Sequence, residues 1–150
     1  MATSTALIML AEYLQTSYRP DCDSIEGEVQ ERNLREEEHS DAQTRLVQLL
    51  GLPANTQFIR ANTELHVQLK PDRFRIPDVC VRLRNAPSER LLTTPPILCI
   101  EVLSPEDTVR RTRERVRDFL ETGVPAVWMV DPAFAQRRLF RHGRSAGLDF

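Results

Sequence analysis

Two apolar runs, residues 97–103 and 126–130, flank a stretch with helical spacing that stops at Gly123, with Pro125 just beyond. A strand, a helix and a strand in that order imply a crossover between parallel neighbours, because only antiparallel strands can be joined by a tight turn. This unit commits the chain to an α/β class. The helical stretch, residues 104–122, opens at Ser104-Pro105 and places Val109, Thr112, Val116, Phe119 and Leu120 on its inner face. Gly123 supplies the terminator.

Upstream the periodicity changes. Residues 63–69 alternate, with Leu65, Val67 and Leu69 on one face and Glu64, His66 and Gln68 on the other. The turn Lys70-Pro71-Asp72-Arg73 folds this strand back into a second one over 74–83, and such a hairpin makes the sheet mixed. A strand over 24–31 is interrupted by Gly27 as a bulge or hairpin tip. A helix over 36–50 follows, with Ala42, Leu46, Leu49 and Leu50 inward and Gly51 at its end. A short helix capped by Ser4 or Thr5 runs through Leu14, a short strand covers 57–60, and a last strand covers 137–142. A chain of 150 residues suits one domain with a real core.

The net charge of −2 argues against a surface that is basic throughout, although it leaves room for a local basic cleft. Of the 20 Lys and Arg residues only Lys70 is a lysine. Arginine grips phosphate and carboxylate bidentately but does not give up its proton near neutral pH, so a lysine base has a single candidate. The 3 cysteines are odd in number and contain no Cys-x-x-Cys pair, against a disulfide framework or zinc ribbon. The apolar run 6–11 is too short to span a membrane and has no basic flank. The expectation is a cytoplasmic protein with no membrane association.

Glu101 lies within the apolar run 97–103, and Asp78 follows Pro77 in the equally apolar 76–81. Runs without alternation read as strands covered on both faces. An ionised carboxylate there is costly unless a cation or several donors satisfy it. If the two strands are neighbours, Asp78 and Glu101 converge on one hard cation of the magnesium type, which takes one or two carboxylates with waters and a phosphate. The alternative is that Asp78 caps a turn and Glu101 pairs with a buried arginine.

Pro77-Asp78 followed by Glu101-Val102-Leu103 resembles the PD-(D/E)xK motif of the restriction-endonuclease-like superfamily. The Glu26-Gly27-Glu28 strand, His39 opening a helix, Glu64, the string Glu101-Val102-Leu103-Ser104-Pro105, and Gly123-Val124-Pro125 leading through Trp128 to Val130-Asp131-Pro132 narrow the resemblance to the Uma-type restriction endonucleases. It covers about residues 12–140.

The resemblance implies a restriction-endonuclease-like α/β core, a central mixed sheet flanked by helices, that cuts DNA by metal-assisted phosphodiester hydrolysis. It implies Asp78 and Glu101 as catalytic metal carboxylates, the Val102 backbone carbonyl as a further ligand, Mg²⁺ or Mn²⁺ as cofactor, and DNA as partner, with a second copy of the chain as another. Glu64 and Glu28 are secondary candidates, with ordinary solvated charges as the competing account. The superfamily's usual lysine position is Leu103, and the Uma-type alternative on the following helix is Arg115. That departure, with an ending at Phe150 that is short for the family, keeps a second reading open: a C-terminally clipped or catalytically degenerate relative acting as a DNA-binding, regulatory or interaction module.

Arg110, Arg111, Arg113, Arg115 and Arg117 crowd one helix, but Glu106, Asp107, Glu114, Asp118 and Glu121 balance them, as on a solvated face. Cys80 and Cys99 share faces with the carboxylates and read as small buried hydrophobes. His39, His66 and His142 show no ligand spacing.

Overall fold

The computed structural model describes residues 8–18, 22–31, 36–134 and 136–141. Over these the chain forms α1 (Leu10–Gln15), β1 (Cys22–Ile25), β2 (Glu28–Glu31), α2 (Glu37–Leu50), α3 (Pro53–Thr56), β3 (Ile59–Thr63), β4 (Val67–Lys70), β5 (Arg73–Arg75), β6 (Val79–Leu83), β7 (Leu98–Val102), α4 (Val109–Thr122), β8 (Ala126–Asp131) and β9 (Gln136–Arg141). The expected cap at Ser4 or Thr5 and the strand end at His142 lie outside the described residues. No helix among the described residues is long and apolar enough to cross a membrane.

The main sheet has five strands in the order β3-β6-β7-β8-β9. Its one parallel pair is β7 with β8, joined through α4 as the strand, helix, strand order requires. Cys99 stands opposite Val127 and Glu101 opposite Met129 in that pair. Val116 and Phe119 of α4 close over Cys80, Cys99, Val127 and Met129 in one apolar cluster. Gly123 ends α4 with φ of 104°, a left-handed conformation open to glycine at little cost, so the Gly123 and Val124 N–H groups reach back to the Leu120 and Phe119 carbonyls.

A second, antiparallel sheet has the order β2-β1-β5-β4. The sequence suggests one sheet, and the difference arises at two breaks. The strand expected over 63–69 turns at Glu64, whose φ is 56°, so β3 joins the main sheet and β4 the other. The strand expected over 74–83 stops at Ile76-Pro77-Asp78, leaving β5 and β6 in different sheets. Pro77 has no N–H for a ladder. The Ile76 N–H donates instead to Asp23 Oδ1 at 3.1 Å. The hairpin across Lys70–Arg73 forms as expected, with a register shift between Gln68 and Lys70. The β1–β2 hairpin makes Gly27 a tip, because Glu26 and Gly27 both carry positive φ, the signature of a two-residue type I′ turn.

Two helices differ in detail. On α2 the buried residues are His39 and Gln43, while Leu49 is 58% exposed, so the inward face is polar where the apolar pattern pointed elsewhere. Helix α4 begins at Val109 rather than Ser104, with Thr108 Oγ1 accepting the Arg111 N–H as its cap. Val109 is exposed, and Asp118 is buried in the place expected of an outward charge.

Candidate active site and metal centre

Asp78 immediately precedes β6, where Val79 pairs with Ile100, and this brings it beside Glu101 and Val102 of β7. Asp78 at the start of β6 and Glu101 on the adjacent β7 are 1% and 2% exposed. Asp78 Oδ2 accepts the Val102 N–H at 2.8 Å. His39 Nε2 of α2 stands 3.3 Å from the same oxygen. Gln43, one turn further along α2, donates from Nε2 to the Asp78 carbonyl at 2.8 Å and to Glu64 Oε1 at 3.4 Å. One amide therefore ties both points where the chain passes between the sheets.

Glu101 is engaged from the opposite helix. Arg115 Nη1 donates to Glu101 Oε2 at 3.1 Å, and Nη2 donates to Asp107 Oδ1 at 2.9 Å. Burial alone would lower the Arg115 pKa. The carboxylates of Glu101, Asp107, Asp23 and Asp78 overcome it and hold the guanidinium firmly charged. Asp107 Oδ2 accepts the Ser104 N–H at 2.9 Å and the Ser104 hydroxyl at 3.2 Å, which shapes the turn leaving β7. Burial likewise pushes the Cys80 thiol up to about 11, with Arg82 opposing, and raises Cys99 well above its usual value.

A cavity of about 340 Å³ adjoins this cluster, with His39, Asp107 and Leu103 in its wall. Behind the cluster lies a buried ionic lattice that the sequence reading missed. Arg75 Nε donates to Asp118 Oδ2 at 2.8 Å and Arg75 Nη1 to Asp23 Oδ2 at 3.1 Å, and Arg73 also pairs with Asp118. Asp118 is thus not one of the solvated helix charges. It is 4% exposed and locks α4 to β5.

Of the residues singled out from sequence, Asp78, Glu101, Val102 and Arg115 come together. Glu64 is one hydrogen-bonded link away through Gln43. Glu28 is exposed on the edge strand β2. Lys70 is a half-exposed partner of Glu121 at 4.0 Å. Leu103 packs against the apolar cluster. His39, Gln43 and Asp107 were not assigned a role. The signals for them were present: polar residues four apart on α2, and a Ser-x-x-Asp spacing from Ser104 to Asp107 that suits a capping contact.

Among the described residues, no three His, Cys, Asp or Glu side chains form a ready-made ion cage. The donor set still fits a hard divalent cation that relies on waters and phosphate for the rest of its shell. Asp78, Glu101 and Asp107 gather around the Arg115 guanidinium, with His39 Nε2 beside Asp78. Buried carboxylate oxygens of this kind are the ligands such a cation prefers.

Residues 10–148 match the Uma2 family, whose description is "Putative restriction endonuclease". A solved structure titled as a putative nuclease belonging to DUF820, from Anabaena variabilis ATCC 29413, superposes with a TM-score of 0.79 at 22% identity, over 92% of this chain and 82% of that one. No curated protein sequence matches. With its mixed α/β fold and a family match spanning nearly its whole length, the chain belongs to the Uma2 restriction endonuclease family.

Proposed function

We propose that this chain is a magnesium- or manganese-dependent DNA endonuclease acting in the cytoplasm, with Asp78 and Glu101 as its metal carboxylates and the Val102 carbonyl as a further ligand. The observation that carries the reading is the buried Glu101 carboxylate on β7 beside the buried Asp78 carboxylate at the start of the adjacent β6. A bound divalent ion would supply polarisation of the scissile phosphate and acidification of an attacking water. The protein's own groups do the positioning. The Val102 N–H and His39 orient Asp78. Asp107 holds one end of the Arg115 guanidinium so that its charge is fixed beside Glu101. Such preorganised charge stabilises negative charge that builds up on phosphate. Arg115 does not act as the base, since arginine keeps its proton.

A second reading is favoured by one observation: no lysine reaches the cluster, and Arg115 itself neutralises Glu101. On that account the protein binds DNA without cutting it. Supercoiled plasmid incubated with magnesium, with manganese or with EDTA separates the two. Metal-dependent nicking that disappears in Asp78→Ala supports the endonuclease. DNA retention without nicking supports the second reading.

A further inference from the structure

The cavity of about 340 Å³ beside the carboxylate cluster is of a size that takes a small molecular fragment. Its walls are unlike a phosphate site. Leu103, Pro105 and Val109 give it apolar sides, and Phe134, at the tip between β8 and β9, stands at its edge 73% exposed. Its charged members are acidic. Asp107 is committed to Arg115 and Ser104, and Asp131 Oδ1 accepts the Ala133 N–H. Glu36 and Glu38 have no side-chain hydrogen bond or ion pair among the described residues. His39, 7% exposed, also lines the cavity, and its Nδ1 is a buried polar atom with no hydrogen-bond partner among the described residues.

An acid-edged pocket repels a phosphate backbone. It welcomes a flat ring whose edge carries amino donors, since carboxylates accept hydrogen bonds from exocyclic amines of bases. An exposed aromatic at the lip offers the stacking surface that an unpaired base needs. The pocket shares His39 with Asp78, and shares Asp107 with Arg115, so its occupant lies next to the proposed cleavage site.

We infer that this cavity receives one unstacked, amino-bearing nucleobase of the nucleic acid strand, stacked on Phe134 and read by Glu36 and Glu38. This deepens the endonuclease reading and rests on it for the position of the strand. Binding of an unpaired base is nevertheless measurable without cleavage.

The test uses the full chain in EDTA and single-stranded oligonucleotides carrying one 2-aminopurine as a fluorescent base. The expected result is a fluorescence change on binding, affinity about tenfold weaker in Phe134→Ala, and restoration in Phe134→Trp. Replacing the amino-bearing bases by thymine should also weaken binding in the wild type, and that difference should shrink in a Glu36→Gln, Glu38→Gln double variant with an unchanged melting temperature. Equal affinity of wild type and Phe134→Ala, or equal binding of thymine-only strands, overturns the proposal. So does saturation of the cavity by a polyamine such as spermidine with no effect on the fluorescent base. Base binding with no plasmid nicking would instead remove the endonuclease reading and leave the pocket standing.

Discussion

The Asp78 carboxylate is bonded to the backbone of Val102: the N–H of that residue donates to Oδ2 at 2.8 Å. A side chain at the mouth of one strand is thereby held by the main chain of its neighbour, one position beyond Glu101. The aspartate is positioned by a group no point substitution removes, other than one to proline, and it is more rigidly set than a carboxylate held by side chains alone.

Asp78→Ala should therefore cost stability as well as activity. It leaves the Val102 N–H buried without an acceptor, a loss of about 1–3 kcal/mol. Asp78→Asn keeps an acceptor oxygen and should lose less, while abolishing metal-dependent cleavage equally. Urea melts of the two variants provide the comparison. Equal stability in both would mean that the bond contributes nothing.

Divalent cations should raise the melting temperature, because a ligand that binds only the native state stabilises it. The gain is about 2.7 kcal/mol at a metal concentration 100 times the Kd. Glu101→Gln should remove that increment while keeping a hydrogen-bond acceptor for Arg115. A wild-type melt indifferent to millimolar magnesium and manganese would assign the carboxylates a structural role.

Arg115→Ala should lose stability on the order of 3 kcal/mol, since Glu101 and Asp107 are left buried without their shared counter-charge. If the protein cuts DNA, the same change should lower kcat about 10²-fold or more. Arg115→Lys should lose one of the two bonds, because an ammonium lacks the planar fork, yet retain or improve cleavage. Single-turnover kinetics beside thermal melts separates the effects. Unchanged cleavage in Arg115→Ala would show the wrong residue in this role.

The thiols make a pH prediction. Burial raises the Cys80 pKa from 9.0 to about 11 and Cys99 in the same direction, so the folded state holds these protons more tightly than the unfolded chain. Stability should then be unaffected by them below pH 9 and fall as the pH climbs from 9 through about 11. Both cysteines should resist iodoacetamide at pH 8 until the protein unfolds, as peptide mapping would reveal. Rapid labelling in the native state would contradict the burial.

Asp118→Ala should destabilise by about 1–3 kcal/mol, by removing the buried carboxylate that Arg73 and Arg75 share while Glu26 and Asp23 still hold their other nitrogens. Chemical denaturation measures it directly. A loss under 1 kcal/mol would make the lattice energetically idle.

Much of this architecture was written in periodicity. The parallel β7–β8 pair, α4 between them and its stop at Gly123 followed from apolar spacing and one glycine. Asp78, Glu101 and Arg115 stood out as charges in apolar runs or by family spacing, and the fold brings them together. What escaped was nonlocal. Breaks at Glu64 and Pro77 look like minor irregularities within a strand, and only pairing partners elsewhere decide that the halves enter different sheets. His39 and Gln43 were hidden because an inward polar face opposes the hydrophobic rule used to orient α2. Asp118 was read as a surface charge because its partners, Arg73 and Arg75, are more than 40 positions away in sequence, beyond any i,i+4 pattern.

Asp118 and Arg115 are three residues apart on α4, and so lie on neighbouring positions of one helical face. Because Asp118 is fastened to the arginines of β5, the rotational phase of the helix is set by the smaller sheet, while the groove that Arg115 must reach belongs to the larger one. Charge changes on β1 or β5 can therefore detune the site like a shifted gear tooth, without touching Asp78, Glu101 or Arg115. The heritable unit of this centre is wider than its lining, and a survey of variants confined to the carboxylates would overlook half of what keeps it in alignment.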